Sequence, residues 1–81
     1  MAQLRVLSRR GDDTYHWDPK GVASGDPDAA AAVREAERIF QAERSRGALA
    51  FRVTSGRPGE RINRFDPQAE QIILVPKLAG G

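Results

Sequence analysis

Polar and apolar positions alternate along Gln3-Leu4-Arg5-Val6-Leu7-Ser8, with Leu4 and Val6 on one face, and this predicts a first strand. Arg9-Arg10-Gly11-Asp12-Asp13 reads as a turn. Thr14-Tyr15-His16-Trp17, rich in β-formers and stopped by Asp18-Pro19, predicts a second strand joined to the first as a hairpin. Lys20 to Gly25 reads as a flexible loop. The period then changes from two to 3.6: Ala29, Val33, Ala36, Phe40 and Glu43 recur at helical spacing, with Ala32 and Ile39 widening the stripe. Arg34, Glu35, Arg38 and Gln41 fall on the opposite side. Asp26 is placed to cap this helix, Pro27 to occupy its first position and Gly47 to stop it, so a helix is expected over 28–46.

After the helix the period returns to two. Leu49, Phe51 and Val53 alternate with Ala50, Arg52 and Thr54, the pattern of a strand buried on one side. Ser55-Gly56-Arg57-Pro58-Gly59 is a loop, and Arg61-Ile62-Asn63-Arg64-Phe65 reads as a fourth strand closed by Asp66-Pro67. Gln71-Ile72-Ile73-Leu74-Val75 is a continuous apolar run, the signature of a strand in the middle of a sheet. The order is strand, strand, helix, strand, strand, strand, which predicts an α+β domain with one helix packed on one mixed sheet. A central last strand beside the first, reached by a right-handed crossover, buries Leu4, Val6, Phe51, Ile72 and Leu74 against Val33, Ala36 and Phe40. That is the β-grasp arrangement. With Ile72 and Leu74 turned to the helix, Ile73 and Val75 are expected on the outer face near Ala50, as an apolar strip that a partner protein, another loop or a second copy can cover.

Composition narrows the chemistry. A chain of 81 residues is one domain in length and buries only roughly 60–65% of its unfolded surface, so little room is left for a buried active site. Without cysteine there is no disulfide, thiol nucleophile or thiolate ligand, and His16 by itself makes no metal cluster. The N-terminus lacks the apolar run of a signal peptide, and no stretch approaches the roughly 18 apolar residues of a membrane span, so a cytoplasmic protein is expected. A formal charge of +2 gives no reason to expect nucleic acid or a membrane as partner. The basic residues are eleven Arg against only Lys20 and Lys77. Asp12, Asp13 and Asp66 can be drawn as a carboxylate site, but turn chemistry accounts for all three; Trp17 is expected to pack, His16 to lie exposed, and the helix charges to form weak solvated pairs.

The end of the sequence carries a resemblance. Ile72-Ile73-Leu74-Val75-Pro76-Lys77-Leu78-Ala79-Gly80-Gly81 can be laid on the end of ubiquitin without a gap. Together with the element order, it makes the chain resemble the ubiquitin-like family, in particular the diglycine-ended modifiers of bacterial operons that also encode activating-type enzymes and a deubiquitinase-like metalloprotease. The resemblance implies a β-grasp domain over 1–76 and a flexible tail over 77–81. It implies that Gly81, with Gly80, is the site of adenylation and conjugation. It also implies that Lys77 helps the activating enzyme select the chain, that Leu78, at the family's leucine position in the tail, binds partners, and that Val75 lies with Ile73 on the partner-binding face. Pro76 departs from the family pattern. Lys20 is the possible acceptor for chains, since Lys77 lies in the donor tail.

The implied chemistry suits the composition. Two residues without Cβ lie extended in a narrow channel and bring a carboxylate to ATP; an enzyme cysteine then takes the acyl group as a thioester, and a target amine completes an isopeptide bond. The expected partners are an activating enzyme, a conjugating enzyme, a deconjugating metalloprotease and a target protein. The chain itself would be a substrate and not an enzyme, with no cofactor, ATP being used by the activating partner. Two other readings share the fold: a sulfur carrier whose Gly81 becomes a thiocarboxylate, and an interaction module in which the diglycine is incidental.

Overall fold

The computed structural model describes residues 1–8 and 11–77. Among them, the elements in chain order are β1 (Ala2–Ser8), β2 (Gly11–Trp17), α1 (Pro19–Ser24), α2 (Pro27–Ser45), β3 (Leu49–Val53), β4 (Glu60–Ile62) and β5 (Gln71–Val75). The strands form one mixed five-stranded sheet in the order β2-β1-β5-β3-β4, with α2 packed against one side. β5, the apolar β-branched run, occupies the centre, parallel to β1 and antiparallel to β3. The chain is thus a small α+β domain.

Helix α2 begins and ends where its sequence directs. The Asp26 carboxylate accepts the backbone N–H of Asp28 at 3.0 Å, and Pro27 fills the first helical position. At the other end Gly47 adopts φ +95; its N–H donates to the Arg44 carbonyl and that of Ala48 to the Glu43 carbonyl. These paired bonds satisfy the last carbonyls of the helix and turn the chain into β3. Ala29, Ala36 and Phe40 are buried, Ala32, Val33 and Ile39 are half-buried, and Arg34, Glu35, Arg38 and Gln41 face solvent.

The register shows which residues meet this helix. Leu4 pairs with Ile72, Val6 with Leu74, and Ala50 with Leu74 from the other side, so these residues share the helix-facing surface. Leu4, Ala50, Ile72 and Leu74 are fully buried there with Ala2, Trp17, Ala36, Phe40 and Ala69. Phe65 is half-buried against this core, its ring 5.3 Å from Trp17 and 5.6 Å from Phe40. The Trp17 indole N–H donates to the Pro67 carbonyl at 2.8 Å, which satisfies the polar end of a buried ring.

Four expectations are corrected. Phe51 does not belong to the helix-facing core: Leu49, Phe51 and Val53 lie on the outer face, and Ala50 and Arg52 are turned toward the helix side. Pairing with β5 decides this, because Ala50 faces Leu74 and period two carries the rest of the strand with it. The segment expected as a loop from Lys20 contains α1, capped by the Asp18 carboxylate on the N–H of Lys20 at 3.0 Å and closed by Gly25 at φ +84. Gly11, Asp12 and Asp13 belong to β2 and not to a turn, since pairing continues to Ser8 opposite Gly11. The fourth strand spans only Glu60–Ile62; Asn63 to Phe65 leave the sheet and carry the Phe65 ring over the core.

Asp66 does perform turn chemistry. Its carboxylate accepts the Gln68 N–H at 2.9 Å and its carbonyl that of Ala69 at 3.1 Å. The same side chain receives Arg52 at 2.8 Å, and Arg52 also reaches Glu60 at 2.7 Å. Hydrogen bonds to Glu60 first and Asp66 second hold the Arg52 guanidinium above its ordinary value, and the two carboxylates pair the one charged residue of β3 at the margin of the helix side.

Candidate functional site

No element of the described residues lies over the outer face of the sheet. Its composition follows from the register: one row across the strands is Arg5, Ile73, Phe51 and Arg61, and the row beside it brings Val75 opposite Leu49. Val53 pairs with Gln71 one step further on. Ile73, Val75, Phe51 and Val53 are half-buried, and Leu49 is 37% exposed. The result is an apolar strip on β5 and β3 with an arginine at each side. Arg5 is tied to Asp12, whose Oδ2 accepts Nε at 2.9 Å and also Nη2, whereas Arg61 is exposed and extends to solvent.

The strip ends in a groove of about 480 Å³ lined by Gly47, Leu49, Val75, Pro76 and Lys77. Two local features build it. The left-handed turn at Gly47 delivers Leu49 to its place opposite Val75, and the absence of a side chain at Gly47 admits the Lys77 stem. A Cβ at position 47 would come within 3.1 Å of Lys77 Cδ. The aliphatic part of Lys77 therefore closes one wall of the groove while its ammonium is carried into solvent. At the far end of the same face Met1, Gln3, Val53, Ser55, Glu70 and Gln71 line a more polar hollow, in which the Glu70 carboxylate accepts the Ser55 N–H at 2.8 Å.

The residues singled out from sequence divide into three groups. Ile73, Val75 and Lys77 are brought together: the first two share the outer face, and the last two share the groove. Lys20 is exposed but sits apart on α1, in the first turn of that helix. Leu78, Gly80 and Gly81 lie outside the described residues. Sequence reasoning missed Leu49, Phe51 and Gly47. The first two carry a signal, large apolar residues at period two, but the period alone does not say which face the helix covers; pairing with β5 does. For Gly47 the helix-stop signal was legible, and its contact with Lys77 was not.

Ionisable chemistry lies elsewhere. Glu35 is held below the ordinary glutamate value and Arg38 above its own, each chiefly by the hydrogen bond between them, 2.6 Å on the solvent face of α2. Among the described residues there is no group of three or more His, Cys, Asp or Glu side chains placed to hold a metal ion, and no helix long and apolar enough to cross a membrane. What this surface offers is shape and apolar contact with flanking positive charge, which suits binding.

Comparison with protein-family models, with curated proteins and with solved structures found no match to this chain.

Proposed function

We propose that this chain is a β-grasp protein modifier of the ubiquitin-like type, whose Gly81 carboxylate is adenylated by an activating enzyme and then joined to an amine of a target protein. The strand order β2-β1-β5-β3-β4, with a central last strand parallel to the first and a helix on one side, supports the β-grasp reading. The observation that carries the functional reading is the course of β5. This central strand presents Ile73 and Val75 on the open face and runs directly into Pro76 and Lys77, which line the groove, with Leu78 to Gly81 following in sequence. A partner that grips the strip and the Lys77 ammonium thereby holds the start of the terminal segment at a fixed distance from its own active site.

The chemistry then belongs to the partners. The Gly81 carboxylate attacks the α-phosphate of ATP, pyrophosphate leaves, and the resulting acyl adenylate is captured by a cysteine of the activating enzyme with release of AMP. A conjugating enzyme passes the acyl group to a target lysine, and a metalloprotease hydrolyses the product. Gly80 and Gly81 permit this because neither adds a Cβ to the walls of a close-fitting channel.

The test is intact mass after the purified chain is mixed with its activating enzyme and ATP. An adenylate or thioester formed by the full chain, and not by a Gly81 deletion or a Gly80→Ala variant of unchanged fold, supports the proposal. A carboxylate-to-thiocarboxylate mass change indicates the sulfur carrier instead. No change with any variant leaves the interaction module.

A further inference from the structure

The sheet has two margins, and they differ. β4 is three residues long, whereas β2 runs for seven residues and pairs continuously with β1 from Trp17 opposite Ala2 to Gly11 opposite Ser8. The backbone directions along β2 follow from one bond. The N–H of Gln3 donates to the Glu70 carbonyl at 3.1 Å, so Gln3, Arg5 and Leu7 direct their main-chain groups toward β5, and Ala2, Leu4, Val6 and Ser8 direct theirs toward β2. Their partners Trp17, Tyr15, Asp13 and Gly11 receive those bonds. The N–H and C=O groups of Asp12, Thr14 and His16 consequently point outward, away from β1, and these three residues are exposed. β2 carries the charges of Asp12 and Asp13 but no proline, bulge or lysine, the other devices that protect open strand margins.

We infer that β2 is a self-association surface on which a second copy of this chain adds its own β2, antiparallel about a two-fold axis at Thr14. The argument is complementarity. An antiparallel pair centred on Thr14 sets Thr14 against Thr14 and Asp12 against His16, twice by symmetry, and it engages all three outward residues of each strand in six main-chain hydrogen bonds. A pair centred on Asp13 sets two aspartates against each other. One centred on Tyr15 leaves Asp12 beyond the paired β2 residues. Threonine pairs are favourable across strands, and a carboxylate directly opposite an imidazole can accept its N–H. The Asp12 carboxylate is already oriented: both Arg5 donors go to Oδ2, so Oδ1 is available to an imidazole N–H from His16 of the second copy. On the helix side the same register sets Asp13 opposite Tyr15 of the second copy. The contact is small, so the dimer is weak and concentration-dependent, and it joins two five-stranded sheets into one. It involves neither the outer strip nor the terminal segment, so it stands apart from the proposed modifier role.

Because the chain has no cysteine, a single introduced thiol reports the register. In a hydrogen-bonded antiparallel pair the Cα atoms lie about 5.5 Å apart, within the roughly 4.4–6.8 Å that a disulfide spans. Thr14→Cys is therefore expected to oxidise to a covalent dimer at least about tenfold faster than Leu49→Cys, an exposed control on the outer face, because pre-association raises the effective thiol concentration. Sedimentation of the cysteine-free chain supplies the second arm. His16→Glu, which opposes Asp12 with a like charge at both symmetric positions, is expected to weaken association by about tenfold, and His16→Lys to leave it within about threefold. Thr14, His16 and Leu49 are all exposed, so each variant keeps the fold, which a circular dichroism spectrum checks. Equal oxidation rates for the two cysteine variants, a chain monomeric at every concentration, or equal effects of Glu and Lys would overturn the inference.

Discussion

Ala50 and Leu74 face each other across β3 and β5, both buried on the helix side, so the residues next to them, Leu49 and Val75, emerge together on the outer face. Leu74→Ala is therefore expected to remove a core side chain at a cost of about 2–5 kcal/mol. Val75→Asp replaces an outer-face residue and should cost under about 1 kcal/mol. Urea unfolding of both variants checks this; equal losses would mean that β5 is buried on both sides.

The same geometry reverses an intuitive ranking in β3. Phe51 is the larger residue, yet Ala50 is the one fully buried. Ala50→Glu should place an unpaired carboxylate under the helix and cost more than about 3 kcal/mol, whereas Phe51→Glu should leave a cooperative fold with a change of about 1 kcal/mol. Thermal unfolding of the pair distinguishes them, and Phe51→Glu should also weaken binding to the activating enzyme.

That reversal shows where sequence is a poor guide. Alternation in Leu49 to Val53 announces a two-faced strand, but which face is covered depends on the partner strand, and the small side chain of Ala50 is what fits beneath the helix. The central strand β5 and helix α2 were legible because their signals are internal: a continuous β-branched run in one, and a 3.6 period with Asp26, Pro27 and Gly47 in the other. Helix α1 has the same opening as α2, Asp18-Pro19 against Asp26-Pro27, but only six residues and an internal glycine, so periodicity could not speak for it. Its Gly21 is buried and a Cβ there would meet that of Ala29 at 2.8 Å, a close helix contact that only the structure exposes. In the site, Ile73, Val75 and Lys77 followed from the β5 pattern and the resemblance, while Leu49 and Phe51 joined them only through register.

Gly47 combines a positive φ with the close approach of Lys77. Gly47→Ala should destabilise the domain by about 1 kcal/mol through strain at the helix terminus. It should also displace the Lys77 stem by a few tenths of an ångström. Chemical denaturation measures the first effect, and backbone chemical-shift changes at Leu49, Val75 and Lys77 report the second.

The Glu35–Arg38 pair makes a pH prediction of definite sign. Because the folded-state pKa of Glu35 is lowered, its contribution is present above the unfolded value and is lost as pH falls through the folded value. Both side chains are exposed, so salt should suppress the effect. A carbon-13 titration of the Glu35 carboxyl is expected to give a midpoint below the ordinary glutamate value, and the midpoint should rise toward that value in Arg38→Gln.

The central claim is that Gly81 becomes covalently joined to other proteins, and the sequence supplies its own marker. Trypsin cuts after Lys77, so a conjugated target lysine must retain Leu78-Ala79-Gly80-Gly81 as a branched remnant. The decisive measurement is mass spectrometry of tryptic peptides from cells expressing either the full chain or the Gly81 deletion. The account predicts lysines bearing the Leu-Ala-Gly-Gly remnant with the full chain and none with the deletion. Absence of the remnant in both, with the deletion supporting the native function as well as the full chain does, would contradict it.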